Sequence, residues 1–480
     1  MPLILSGNVA SATAATTYSI DNSCRFNGTD AKLSKSLGAP SDADKFTWSF
    51  WIKRGNVDTQ DDNYRSVIRC HSSATVYTSC TFENNDVLTF GNRQGAGAGG
   101  HKGRLITNRV FRDSSAWYHI VCVWDSGNAS AGDRMKLYVN GVEETSFSTD
   151  TNPTSDEDSA NLDGNTIDIG VHESSYWWDG YIAEVYFCDG QAYGPTDFGE
   201  FDSDSPTIWK PKDASGDLTF GNNGFYLDFK DSANLGNDAN GGTDLTETNI
   251  AATDQMTDTP TLNYCVWNPL TKFLAPSTFS QGNLRVVNPS TDSYFMNTGT
   301  FGLSKGLWYW EVKNISSVGN LDGIGITDRE SRHYQNDFPG GTARSWCLYS
   351  NGDLYNNNVN SADFADTWTT NDIMGIYLDL NANKLYFAKN GTLQNSGTGI
   401  SITAATGTEY GVYFPMTGDY STNPWTGDFN FGGGCNFALS SAVADDDGSG
   451  AFEYDPTAGT FDSASKKFYA INSKNLAEYG

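Results

Sequence analysis

The sequence predicts an all-β protein built from two antiparallel β-sandwiches, and three observations predict it. First, two distant stretches nearly repeat each other. Trp117-Tyr118-His119-Ile120-Val121 leads to Leu137-Tyr138-Val139-Asn140-Gly141, and Trp308-Tyr309-Trp310-Glu311-Val312 is followed by Leu385-Tyr386-Phe387-Ala388-Lys389-Asn390-Gly391. Each couples an aromatic, β-branched run to Asn-Gly, the dipeptide that most readily supplies the positive φ angles of a tight hairpin turn. Second, 50 glycines and 13% aromatics against 38% hydrophobic residues suit many short strands joined by many turns. Third, runs of Ala, Leu, Glu and Lys at helical spacing are nearly absent.

Along the 480 residues, positions 1–20 turn small and polar after the first five and read as an extended arm suited to attachment. Residues 21–200 form the first sandwich. Within it Phe46-Thr47-Trp48-Ser49-Phe50-Trp51-Ile52 is a strand with Phe46, Trp48 and Phe50, or their alternates, on one face. Residues 201–260 read as an irregular connector interrupted by one strand-like piece, Gly224-Phe225-Tyr226-Leu227-Asp228-Phe229. Residues 261–440 form the second sandwich. In the tail, 441–480, Asp445 to Gly450 reads as flexible and Lys466 to Ile471 as a last strand or short helix.

The net charge of -28 repels a phosphate backbone and anionic lipid, which argues against nucleic-acid and membrane partners. No run approaches the ~20 apolar residues needed to insert in a bilayer. The opening Met1-Pro2-Leu3-Ile4-Leu5-Ser6-Gly7 lacks a basic segment and a long apolar run, so synthesis in the cytoplasm without a signal peptide is expected. Cysteines 24, 70, 80, 122, 188, 265, 347 and 435 show no metal-ligand spacing and are expected as thiols, although Cys70 and Cys80 have a spacing that a hairpin can bridge.

On Phe46 to Ile52, Trp117 to Val121, Tyr138-Val139-Asn140-Gly141 and Trp178-Asp179-Gly180-Tyr181-Ile182-Ala183-Glu184-Val185, the first module resembles the concanavalin A-like or laminin-G-like lectin family. That likeness implies a jelly-roll of two antiparallel sheets, with Glu184 as a structural acid. The second module is similar to SPRY domains. The order Trp310-Glu311-Val312, Gly323-Ile324-Gly325-Ile326, Tyr349-Ser350-Asn351-Gly352, Ile373 to Asp379, Leu385 to Gly391 and Tyr413-Phe414-Pro415 carries the resemblance. It implies a binding sandwich without chemistry of its own. The pairing of modules, with the opening Met1 to Ala10, resembles virion proteins of tailed bacteriophages, especially marine ones.

Candidate binding residues begin with Tyr176-Trp177-Trp178. Successive strand side chains point to opposite faces, so one of Trp177 and Trp178 is expected outward. A flat exposed ring of this kind stacks on sugar; its structural alternative is packing beneath a loop or a partner subunit. Asp156, Glu157, Asp158 and Asp163, with Asp150, offer oxygen ligands for Ca²⁺, or simply a solvated acidic loop. Asp238, Asn240 and Asp244 have a fainter EF-like look without the following Glu. The SPRY resemblance implies binding through loops at one end. Those loops hold Arg332, His333 and Tyr334, then Asn357 to Phe364, then Tyr420 and Trp425.

No Glu-x-Asp-x-x-Glu, His-Glu-x-x-His, Gly-x-Ser-x-Gly or phosphate-binding loop occurs, and the five histidines, 71, 101, 119, 172 and 333, are dispersed. The expected function is therefore non-enzymatic and cofactor-free, calcium aside. The chain is expected as a virion appendage, tail-fibre-like or on the capsid surface, that binds host-surface glycan or protein as a homo-oligomer beside other virion proteins. A purely structural capsid decoration or joining protein is the alternative, and a polysaccharide-degrading enzyme comes third.

Overall fold

The computed structural model describes residues 4–5, 18–55, 57, 64–173, 175–271, 277–288, 295–317, 321–328, 338–419 and 424–480. The chain divides into two compact units, Ala15–Thr261 and Leu262–Gly480, the latter with Met1–Ala14. Strands dominate both. Among the described residues the one α-helix is Ser473–Tyr479, and no helix is long and apolar enough to cross a membrane.

The first unit is a sandwich of two eight-stranded sheets. In one sheet Lys45–Arg54 lies between Trp117–Asp125 and Asp179–Asp189, antiparallel to both. The other runs in the order Phe147–Thr151, His101–Val110, Val87–Gln94, Val76–Phe82, Arg65–Ser73, Thr166–Ile169, Lys32–Ser36 and Thr246–Thr248. Strand alternation sorts the side chains as expected. Phe46, Trp48, Phe50 and Ile52 enter the core with Phe90, Trp124 and Phe187, each such burial contributing roughly 2–3 kcal/mol. The opposite face of this sheet is covered as well. Trp51 stacks on His119 at 4.7 Å, and Val121, Val123, Tyr186 and Cys188 pack with Phe198, Ala214, Phe220 and Tyr226.

That cover comes largely from residues 201–260, which differ from the irregular connector the composition suggests. Phe225–Leu227 pairs with Asp179–Asp189, Thr246–Thr248 with Lys32–Ser36, and Gln255–Met256 with Ser23–Asn27. Strands of two or three residues are too short to display a period. They are ordered by the open sheet edges to which they add.

Both Asn-Gly pairs close hairpins. Asn140 and Gly141 have φ of 49° and 79°, and Asn390 and Gly391 have 48° and 78°. The two turns share a further device. The Asn140 side-chain oxygen accepts the backbone N–H of His119 at 2.8 Å, and the Asn390 oxygen accepts that of Ile373 at 2.8 Å. An aromatic ring covers each glycine, Trp209 over Gly141 and Tyr454 over Gly391. Asn is suited here twice over, because it tolerates the left-handed region and offers the acceptor.

The second unit pairs a nine-stranded sheet with a six-stranded one. Leu307–Ser317 lies between Ile373–Asp379 and Trp425–Asn430 in the larger sheet. Tyr309, Tyr377 and Tyr386 form a layer on one face of it, and by alternation the buried Trp308, Trp310 and Val312 occupy the other. The tyrosine face is sealed by Phe452, Phe461 and Phe468 of the C-terminal segment. Tyr469–Ala470 adds a short parallel strand beside Leu307–Ser317, and Ile4–Leu5 pairs with Phe301–Gly302. The Asp445 to Gly450 stretch, expected as flexible, is instead tied down. The buried Asp445 carboxylate accepts from the backbone of Asp447, Ser449 and Ala470 and from Asn475 Nδ2.

All eight cysteines are buried thiols. Cys70 stands opposite Thr78 and Cys80 opposite Ile68, so the hairpin register does not bring the two face to face.

Candidate ligand-binding cleft

The open face of the second sheet of the first unit carries a cleft of about 360 Å³. Its geometry follows from alternation on four neighbouring strands. On Val76–Phe82, Thr78, Cys80 and Phe82 are buried on the core side, which leaves Tyr77, Ser79 and Thr81 facing out. On Val87–Gln94 the outward set is Thr89, Gly91 and Arg93. Register aligns these into rows across the strands: Tyr77, Arg93 and His101 in one, and Arg69, Ser79, Gly91 and Arg104 in the next.

The middle of the second row is therefore small, and it makes the floor. Gly91 lacks a positive φ. A Cβ placed there would meet nothing closer than 3.5 Å, ordinary contact with Arg104 and Gly103. Neither backbone nor packing demands a glycine at this position, and the effect of having one is depth.

One wall is aromatic. The hairpin of Val171–His172 and Tyr176–Trp177 brings His172 and Tyr176 beside Tyr64 and Tyr77. His172 lies 5.8 Å from Tyr64, 5.6 Å from Tyr77 and 6.0 Å from Tyr176 between ring centroids. The Arg69 guanidinium stacks on Tyr77 at 4.6 Å and approaches Glu173 at 3.7 Å. Glu173 itself has a φ of 62°, a left-handed conformation costing roughly 1–2 kcal/mol in a residue with a Cβ.

The remaining lining is polar. Glu83 accepts from Arg104 at 2.8 Å and from Thr89 at 2.7 Å. Arg93 Nε donates to the Gly95 carbonyl at 2.9 Å, and no carboxylate lies within ion-pair distance of Arg93 among the described residues. Burial, then Arg69, holds the His172 pKa down at about 4. Burial, then Arg104 and Arg93, depresses that of His101. Both rings are neutral near pH 7, so they contribute hydrogen-bonding edges and flat faces rather than charge. Aromatic faces beside hydroxyls, neutral imidazoles and a guanidinium suit a polyhydroxylated ring that presents C–H groups on one side and oxygens around its rim.

The expected site residues meet different fates. Tyr176 lines the cleft. Trp177 is the outward, half-buried ring of its pair. Trp178 is 1% exposed and lies in the core 5.7 Å from Phe82, so it cannot meet a ligand: alternation turned this ring inward. Trp425 is likewise unavailable. It is fully buried and donates from Nε1 to Asn314 Oδ1 at 3.3 Å, because it opens a strand at the heart of the larger sheet rather than capping a loop. Arg332, His333, Tyr334 and Tyr420 lie outside the described residues.

The acidic-loop expectation is corrected too. Among the described residues no three His, Cys, Asp or Glu side chains converge as a metal ion would require. Glu157 is engaged by Lys102 at 3.6 Å and by the Thr154 hydroxyl, while Asp156 and Asp163 point to solvent. A Ca²⁺ ion needs six to eight converging oxygens, and Asp156, Glu157, Asp158 and Asp163 do not fit it. Asp238 is buried against Lys35 at 3.8 Å and accepts the backbone N–H of Tyr226, a structural use. Glu184 is structural as the resemblance implies. It is buried at a bulge with φ of 50° and accepts hydrogen bonds from Tyr18, Tyr186 and Tyr226, and burial raises its pKa.

Sequence reasoning missed Tyr64, Tyr77, Glu83, Arg93, His101, Arg104, His172 and Glu173. The available signal was the run Tyr77-Thr78-Ser79-Cys80-Thr81-Phe82, whose outward positions are polar or aromatic while its inward ones suit a core.

Comparison with known proteins agrees with this architecture. Residues 27–192 match the concanavalin A-like lectin/glucanases superfamily, and residues 307–433 match the SPRY domain. The Ran-binding proteins 9/10 homolog of Drosophila melanogaster is 31% identical over 133 residues, 26% of this chain; the match spans only 14% of that relative. Among solved structures, the SPRY domain of human HERC1 has a TM-score of 0.29 at 19% identity, over 34% of this chain and 96% of that one. The heptameric SAP-like pentraxin of Limulus polyphemus has a TM-score of 0.27 at 19% identity, over 36% of this chain and 78% of that one. The chain thus carries a concanavalin A-like lectin domain followed by a SPRY domain.

Proposed function

We propose that this chain is a non-enzymatic binding protein whose lectin-like sandwich takes a saccharide into the cleft between Tyr77 and Arg104, and whose SPRY sandwich engages protein. The observation that carries the reading is the cleft itself: an aromatic wall, a glycine-deepened floor and a polar rim on one face of the sandwich. In its fuller form the chain is a phage virion appendage that adheres to a host surface. The resemblance of its opening residues and module order to phage virion proteins supports that form. A shallow single site binds weakly, and many copies on one particle raise avidity by roughly 10²–10⁴-fold.

The test is a glycan array probed with the full chain beside a Tyr77→Ala, Tyr176→Ala double variant, followed by adsorption of particles carrying either version to host cells. Binding that the variant loses supports the cleft. An array blank for the wild-type chain ends the saccharide reading. Normal particles with poor adsorption support adhesion, whereas failed incorporation places the role in assembly.

A further inference from the structure

We infer that the cleft selects an acidic sugar, one that bears a ring carboxylate such as a uronic or sialic acid, and that Arg93 is the residue that reads the carboxylate. This rests on the reading of the cleft as a saccharide site. The chain has 58 acidic against 30 basic residues, so most arginines and lysines find a carboxylate close by. The cleft runs against that composition. Its lining holds two arginines, Arg93 and Arg104, against two glutamates, Glu83 and Glu173, and the buried Arg69 stacks behind Tyr77.

The two carboxylates are already committed. Glu83 is held by Arg104 and Thr89, and Glu173 faces Arg69. Arg93 is different: its Nε is fixed on the Gly95 carbonyl, which orients the guanidinium, and no carboxylate among the described residues takes up its charge. It sits in register between Tyr77 and His101, so a sugar stacked on the Tyr77 wall presents its rim to Arg93. Planar guanidinium and planar carboxylate match in a paired hydrogen bond that a neutral hydroxymethyl group cannot make. Repulsion from the acidic remainder of the surface is screened beyond ~8 Å at physiological ionic strength, while a contact pair is not.

The experiment is calorimetric titration of the full chain with alginate, polygalacturonate, hyaluronan and polysialic acid, each beside its carboxyl-reduced neutral counterpart. At least one acidic polymer is expected to bind roughly tenfold or more tighter than its reduced form. Arg93→Gln should remove that preference, bringing the acidic polymer to the affinity that the same variant shows for the reduced form, Arg93→Lys should keep part of it, and all variants should retain the wild-type circular dichroism and melting temperature. Equal binding of acidic and reduced forms, both lost in Tyr77→Ala, overturns the charge inference and leaves the cleft reading standing. Acidic binding indifferent to both Arg93→Gln and Tyr77→Ala overturns the assignment to this cleft. No binding by any polymer, acidic or reduced, overturns both readings.

Discussion

Glu311 offers the sharpest test of how the second unit holds together. Its carboxylate is wholly buried, yet it accepts four hydrogen bonds: from Tyr309 Oη at 2.9 Å, Asn430 Nδ2 at 3.2 Å, and the backbone N–H groups of Glu453 at 2.9 Å and Tyr454 at 2.8 Å. It thereby staples the C-terminal segment, one residue beyond Phe452, onto the tyrosine face of the larger sheet. Burial outweighs the four donors and pushes its pKa up to about 7. A folded pKa above the unfolded value, about 4.3 for Glu, means that the folded state binds the proton more tightly. The associated stability is full below the unfolded value and is lost as pH climbs through the folded one. The gap of about 2.7 units amounts to at most about 4 kcal/mol. For a unit in the 150–250-residue class this lowers the melting temperature by at most roughly 8–16 °C between pH 4 and pH 9. Buried Asp322, also raised to about 7 by desolvation, acts in the same direction, so the wild-type slope alone is not diagnostic. The comparison is calorimetric melting of wild type and Glu311→Gln from pH 5 to pH 8.5. The variant is expected to start less stable and to show a shallower fall for the transition that contains residues 262–480. Parallel profiles across that range would refute the argument.

Other expectations follow from the same geometry. Asn140→Ala and Asn390→Ala each lose an acceptor for a neighbouring strand and retain the left-handed strain, so each should cost about 1–3 kcal/mol in denaturant unfolding, while Asn→Asp at either site costs less. Gly91→Ala should leave stability within ~0.5 kcal/mol and weaken saccharide binding by reducing the depth of the floor. Gly141→Ala, whose Cβ would come to 2.2 Å from the Trp209 ring at a φ of 79°, should destabilise the first unit severely, and melting curves of the pair separate the two cases. The eight thiols should resist a soluble disulfide reagent in the native state and react together on unfolding. Burial raises the thiol pKa at Cys24, Cys70, Cys122, Cys188 and Cys347 and suppresses the thiolate.

How much of this was legible in the sequence depends on range. The Asn-Gly hairpins were readable because the turn chemistry is local: two residues, two positive φ angles and flanking alternation. The strand Lys45–Arg54 was readable for the same reason. The cleft was not, because its residues come from five strands and the segments beside them, spread over Tyr64 to Tyr176, and only register brings Tyr77, Arg93 and His101 into one row. His101 and His172, dispersed in the chain, line the same cleft. Trp178 and Trp425 show the opposite failure: tryptophan suits a core and a binding surface equally, and the deciding fact is which face of the strand lies inward. The 201–260 segment escaped because its strands are too short for periodicity and exist only where a sheet edge receives them.

The placement of a ligand face follows from which sheet faces the chain leaves uncovered. In the first unit, the sheet built on Lys45–Arg54 has its outer face under Phe198, Ala214 and Phe220. In the second, the larger sheet lies under Phe452, Phe461 and Phe468. The smaller sheet there carries an apolar set, Met296, Cys347, Tyr349 and Met416 with its own Tyr355, against which Phe338 packs. The sheet of Val76–Phe82 and Val87–Gln94 is built differently. Its outward middle positions are Ser79, Thr81, Thr89 and Gly91, a surface with no apolar area to be gained by covering it. A chain that seals these apolar faces with its own side chains and leaves this polar, recessed face bare has left it for something else to fill. If so, capping it from within should abolish ligand capture without unfolding. Gly91→Gln, whose side chain projects from the floor into the cleft, is expected to melt with wild type and to bind no saccharide that wild type binds; retained binding would mean the ligand sits elsewhere.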